Sequence, residues 1–93
     1  MTGTPEQLIK FLNDHFEVTD WKPQHIFDNA KVETHITGEP STALFALVFD
    51  DGFLYDLFYY MEKKNLIHLW AQEHGLHMEQ FNGWNALFYK EDK

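Results

Sequence analysis

Residues 42–49, Thr-Ala-Leu-Phe-Ala-Leu-Val-Phe, form an almost unbroken apolar run, and it constrains the fold more than any other segment. Gly38-Glu39-Pro40-Ser41 precedes it and Asp50-Asp51-Gly52 follows it, both turn-like by composition. The run is far shorter than the roughly 20 apolar residues a membrane-crossing helix needs. A strand with one wet face alternates apolar and polar residues, whereas a strand covered on both faces reads as continuous. Residues 42–49 are therefore expected to be a central strand with packing on either side.

The neighbouring segments supply partners for it. Val32, Thr34 and Ile36 alternate with Lys31, Glu33, His35 and Thr37, the period of a half-buried strand. A hairpin through residues 38–41 is expected to join that strand to the central one. Further on, Asn82-Gly83 is the preferred two-residue type I′ turn, flanked by residues 76–81 and 84–90. Such a turn sets Phe81 opposite Trp84, Glu79 opposite Ala86, Met78 opposite Leu87 and His77 opposite Phe88. Leu76, Met78, Leu87 and Tyr89 then share one face, and His77, Glu79, Phe81, Trp84, Ala86 and Phe88 share the other.

Helical signals frame these strands. Thr4 can cap, Pro5 suits a first helical position, and Gln7 completes a T-x-x-Q capping box. Leu8, Leu12 and Phe16, with Ile9 beside them, lie on one face of a helix over residues 5–16. Residues 17–30 carry conflicting signals, since Pro23 disfavours helix at Lys22 yet can open a short turn. Residues 53–60 fit two patterns. Leu54, Leu57, Phe58 and Met61 make a helical stripe, while Phe53, Tyr55, Leu57 and Tyr59 make a strand face; the helix is preferred because Asp50 or Asp51 can cap it. That helix is expected to break or bend at residues 62–65. A second stripe of Leu66, Leu69 and Trp70 continues to His74, and Gly75 is placed to end it in the left-handed conformation.

The expected fold class is α+β. A single small domain over residues 1–93 carries an antiparallel sheet of about four strands in two hairpins. The N-terminal helix and a central helical segment pack on one side of it.

Charge narrows the function. Asp and Glu number 15 against 7 basic residues, all lysine, for a net charge of −8. Residues 1–62 hold eleven acids and three lysines, so they carry the whole imbalance. Acidity of this size repels nucleic acid and anionic membranes and attracts basic partners. Direct nucleic-acid binding needs a basic groove beside its aromatic platforms, and this chain has one Lys-Lys pair and no arginine. The absence of cysteine removes disulfides and thiolate chemistry and fits a reducing cytoplasm. The first residues have neither a basic region nor an apolar stretch, so no signal peptide is expected.

Catalytic and metal motifs are weak. His74, His77 and Glu79 have the right chemistry for zinc, but they lack H-x-x-x-H or H-E-x-x-H spacing, and a helix-end histidine beside an exposed strand pair explains them as well. Adjacent aspartates before Gly52 are turn and cap residues more often than an acid–base pair. Ser41 is the only serine and lies outside any nucleophile elbow. No enzyme activity, metal or cofactor is expected.

Aromatic residues make up 17% of the chain, and such residues anchor protein–protein contacts. Tyr55, Tyr59 and Tyr60 lie among Asp50, Asp51, Asp56 and Glu62, and Phe81, Trp84 and Phe88 form the aromatic hairpin face. These ten residues are the expected partner-binding set. The expected function is protein binding: occupation of a basic, nucleic-acid-binding surface on another protein. In composition alone, small acidic inhibitors of restriction, repair or CRISPR nucleases, many of them phage-encoded, share this build. The competing expectation is a structural or regulatory domain that acts as a homodimer, its acidity serving only solubility.

Overall fold

The computed structural model describes residues 2–16, 25–49 and 59–91. The first element, α1 (Pro5–Phe16), begins where its capping box lies. Thr4 N donates to Gln7 Oε1 at 2.9 Å and Gln7 N donates to Thr4 Oγ1 at 3.2 Å. Leu8 and Leu12 form its buried stripe, as their spacing requires.

Four strands follow: β1 (Ile26–Asp28), β2 (Phe45–Val48), β3 (Leu76–Asn82) and β4 (Asn85–Lys90). They form one antiparallel sheet in the order β1-β2-β4-β3, and the fold is α+β. The apolar run supplies β2, every residue of which is buried between two neighbouring strands.

The strand expected at residues 32–36 is helical instead. Residues 29–37 form α2 (Asn29–Val32) and its π-helical continuation Glu33–Thr37. A spacing of four puts Val32 and Ile36 on one face in a helix as well as in a strand, so their pattern could not separate the two. The local hydrogen bonds decide it. Lys31 N donates to Asp28 Oδ1 at 3.0 Å, which caps the helix. Asn29 Nδ2 reaches Ala43 O at 2.6 Å and Ser41 O at 3.0 Å, tying the helix to the approach to β2. The partner of β2 on this side is β1, paired antiparallel with Ile26 to Leu47 and Phe27 to Ala46, and the expected first hairpin is replaced by a helical connection.

Both faces of the sheet are covered. One face packs Phe45, Leu47, Met78 and Phe88 against Leu8 and Leu12 of α1 and against Ile67, Trp70 and Ala71 of α3 (Met61–Glu73). On the other face Ala46 and Leu87 pack under Val32 and Ala43, with Phe27, Ile36 and Tyr89 at the margin. Helices therefore lie on two sides, not one, as the continuous apolar character of β2 itself demands.

Helix α3 runs from Met61 through residues 62–65 without the expected break. Its end is as expected: Gly75 has φ 69°, and His74 N bonds back to Ala71 O at 3.0 Å. The N-terminal segment closes over this corner. Gly3 N donates to His74 O at 2.7 Å, an approach so close that a Cβ on Gly3 would stand 2.8 Å from that of His74.

The β3–β4 hairpin is present, in a different register. Asn82 pairs with Asn85, so Gly83 and Trp84 are the turn residues, and Gly83 has no positive φ. Asn82 Oδ1 accepts from Trp84 N at 3.0 Å, an Asx-turn in place of type I′. An irregularity between Gln80 and Asn82 then sets Glu79 opposite Leu87 and Met78 opposite Phe88. A one-residue slip carries a strand's side chains to the opposite face. Ala86 and Phe88 accordingly join Leu76 and Met78 in the core, and Leu87 and Tyr89 face the other way.

Candidate functional site

The expected partner-binding residues separate into three groups. Asp50, Asp51, Tyr55 and Asp56 lie outside the described residues. Phe88 belongs to the core: it is fully buried, and its ring stacks on Phe45 at 4.8 Å and 13°. It cannot meet a partner, and the register slip is the reason. Tyr59, Tyr60, Glu62, Phe81 and Trp84 are exposed.

The first exposed cluster stands at the start of α3. Tyr59 is 69% exposed and Met61 70%, and the two tyrosine rings meet edge to face at 5.1 Å. Lys63 Nζ sits 5.3 Å from the Tyr60 ring centroid, a cation–π distance. Tyr60, Met61, Glu62 and Lys63 line an open concavity of about 530 Å³. Met61 was expected on a buried stripe; it is instead the most exposed large apolar side chain described. Tyr60 takes the N-cap position of the helix without a side-chain cap hydrogen bond of its own.

Phe81 and Trp84 form the second cluster, at the hairpin tip, 48% and 38% exposed. Phe81 falls at the irregularity between Gln80 and Asn82 and, like His77 and Glu79, is exposed. Beside it, Glu79, Gln80, Phe81, Leu87 and Tyr89 line a smaller hollow of about 280 Å³. Burial, then the Glu79 carboxylate, push the Tyr89 hydroxyl above its ordinary pKa, while a hydrogen bond with Ser41 opposes them.

Sequence reasoning missed a third feature, a groove of about 550 Å³ between α1 and α3. Leu66 and Leu69, expected in the core, are exposed on its wall, and Ile67, Trp70 and Ala71 are the buried residues of α3. Its floor is a run of rings. Phe11 and His15 lie 4.4 Å apart, Phe11 and Trp70 6.0 Å, and Trp70 and His74 stack at 4.4 Å. A signal existed, since the apolar residues of α3 cover more of its circumference than one buried stripe needs. On the rim, a 2.8 Å hydrogen bond to Asp14 and that group's charge hold Lys10 above its ordinary pKa.

The three residues with metal-ligand chemistry are divided. His74 Nδ1–H donates to Trp70 O at 2.8 Å, so this histidine closes α3. His77 Nε2 and Glu79 Oε2 lie 3.9 Å apart on the exposed face of β3. Among the described residues, no group of three or more His, Cys, Asp or Glu residues is placed to hold a metal ion. No helix among them is long and apolar enough to cross a membrane.

No protein-family model, curated protein sequence or solved structure matches this chain. What can be said of its function rests on its own residues.

Proposed function

We propose that this chain is a small acidic binding protein that occupies a basic surface of another protein, and that it does no chemistry of its own. One observation carries the reading. The exposed cluster of Tyr59, Tyr60 and Met61 directly follows the segment that holds Asp50, Asp51 and Asp56, and Glu62 continues it. Exposed tyrosines supply contact area at low entropic cost, while carboxylates around them steer a basic partner into place. The net charge of −8, confined to residues 1–62, acts in the same direction. Within this reading the basic surface is one that otherwise holds nucleic acid, as with small acidic nuclease inhibitors of the phage type, and the protein acts in the cytoplasm.

The test is affinity capture on the immobilised chain, run in parallel with a chain carrying Tyr59→Ala, Tyr60→Ala and Glu62→Lys. Basic, nucleic-acid-binding proteins should be retained by the unaltered chain alone and released by salt or by duplex DNA. Retention that is the same on both chains, or that resists salt and DNA, contradicts the proposal.

A further inference from the structure

Strand β3 ends the sheet, and among the described residues no strand pairs with its outer side. It is seven residues long, whereas the opposite edge, β1, has only three. Long edges template the addition of another strand, and natural proteins protect them with charge, bulges or a cover. This edge has an irregularity near its end, between Gln80 and Asn82, and two charged or polar side chains, His77 and Glu79, at its centre.

The hydrogen-bond pattern shows which backbone groups point outward. Phe49 N donates to Trp84 O at 2.8 Å, so Trp84, Ala86 and Phe88 direct their backbone groups toward β2. By the alternation of an antiparallel ladder, Leu87 and Tyr89 direct theirs toward β3, where they meet Glu79 and His77. The backbone N–H and C=O groups of Leu76, Met78 and Gln80 are then the outward ones.

We infer that this edge is a self-association seam on which β3 of a second copy pairs antiparallel about Met78. The sheets of the two copies become continuous, and the two-fold axis passes beside the Met78–Met78 pair. Charge selects the register. Pairing about Met78 puts His77 opposite Glu79 of the second copy, and Glu79 opposite its His77. Both are non-hydrogen-bonded positions, where cross-strand side chains come closest. An imidazole N–H thus faces a carboxylate twice across the axis. A slide of two residues either way sets Glu79 opposite Glu79, or His77 opposite His77, and loses that match. The outward groups of Leu76, Met78 and Gln80 are bonded to Gln80, Met78 and Leu76 of the other copy. An isologous contact closes on itself, so the assembly stops at two. The seam uses none of Tyr59, Tyr60 and Glu62, which lie at the start of α3 and carry the binding reading, and Phe81 at the end of β3 lies outside its central pairs.

Sedimentation velocity over the micromolar to millimolar range tests the seam, with circular dichroism confirming that each chain is folded. The unaltered chain should form a dimer. His77→Glu makes the central pairs all acidic, and His77→Lys combined with Glu79→Lys makes them all basic. Each altered chain alone should associate at least about tenfold more weakly, since like charges directly opposite are destabilising. Mixed one to one, the two should form a heterodimer, because every central pair is then of opposite sign. Amide exchange of the unaltered chain gives a readout that needs no variant: Met78 and Gln80 should gain protection as concentration rises. A chain that remains monomeric throughout, folded variants that self-associate as tightly as the original, or a mixture that forms no heterodimer overturns the seam.

Discussion

Two residues at the core boundary are set by contacts that can be changed singly. Gly3 lies where its missing side chain matters, since an added Cβ meets His74 Cβ at 2.8 Å and Leu76 Cδ1 at 3.1 Å. Gly3→Ala should therefore force the N-terminal segment away from the α3–β3 corner. The expected loss is about 1–3 kcal/mol, the usual range for overpacking, read from the denaturation midpoint. An unchanged midpoint would mean that Gly3 does not close this corner. Asn85 presents the opposite case. It is fully buried at the start of β4, and among the described residues neither its Nδ2 nor its Oδ1 has a hydrogen-bond partner. A buried polar group without a partner costs roughly 1–3 kcal/mol, so Asn85→Leu, similar in volume, should raise stability by about 1 kcal/mol. A loss of that size instead would show that the amide makes bonds essential to the fold.

At the scale of elements, the hairpin turn gives the sharpest contrast. Asn82 accepts a hydrogen bond from Trp84 N, while Gly83 has an ordinary φ and open space where a Cβ would stand. Asn82→Ala should cost about 1 kcal/mol, and Gly83→Ala no more than a few tenths. Equilibrium denaturation of the two variants checks the order, and the reverse order would restore the type I′ turn that the Asn-Gly pair implies. The packing of α3 on β3 has a signature in pH. Burial first, then the charges of Lys64 and His77, hold the His68 pKa below its ordinary value. A base with a lower pKa folded than unfolded takes up protons on unfolding. Its contribution is therefore present at neutral pH and is lost as pH falls through about 6.5 and on below the folded value. His68→Gln should flatten that part of the stability profile, and a slope identical to that of the original chain would contradict the placement of His68.

What the sequence makes legible follows from how local each signal is. Helix α1, its capping box and the Gly75 stop are written within a few residues and stand as read. The apolar run fixed β2 and called for cover on both faces. Three features depend on distant partners and were not legible. Val32 and Ile36 suit helix and strand alike until Asp28 and Asn29 choose between them. Phe88 changes face with a one-residue slip that the irregularity between Gln80 and Asn82 introduces, beside a turn shaped by the Asn82 side chain. Leu66 and Leu69 look like core until Ile67, Trp70 and Ala71 take the sheet-facing positions. Of the candidate site, Tyr59, Tyr60, Glu62, Phe81 and Trp84 are exposed as a binding role requires, and Phe88 is not.

For the whole molecule, a surplus of eight negative charges and an exposed tyrosine cluster form one proposal: steering by the acids and anchoring by the rings. The two contributions separate in kinetics. Charges act at a distance and set the rate of encounter, while packed aromatic anchors set the lifetime of the complex. The most direct test is the rate of association and dissociation with a captured basic partner, followed as salt is raised. The account predicts that association slows steeply with salt and with charge reversal at Asp51 and Asp56. It predicts that Tyr59→Ala acts chiefly by speeding dissociation, and that the partner's own nucleic acid competes. Rates indifferent to salt and to both aspartate reversals, or a ternary complex with that nucleic acid still in its site, would contradict it.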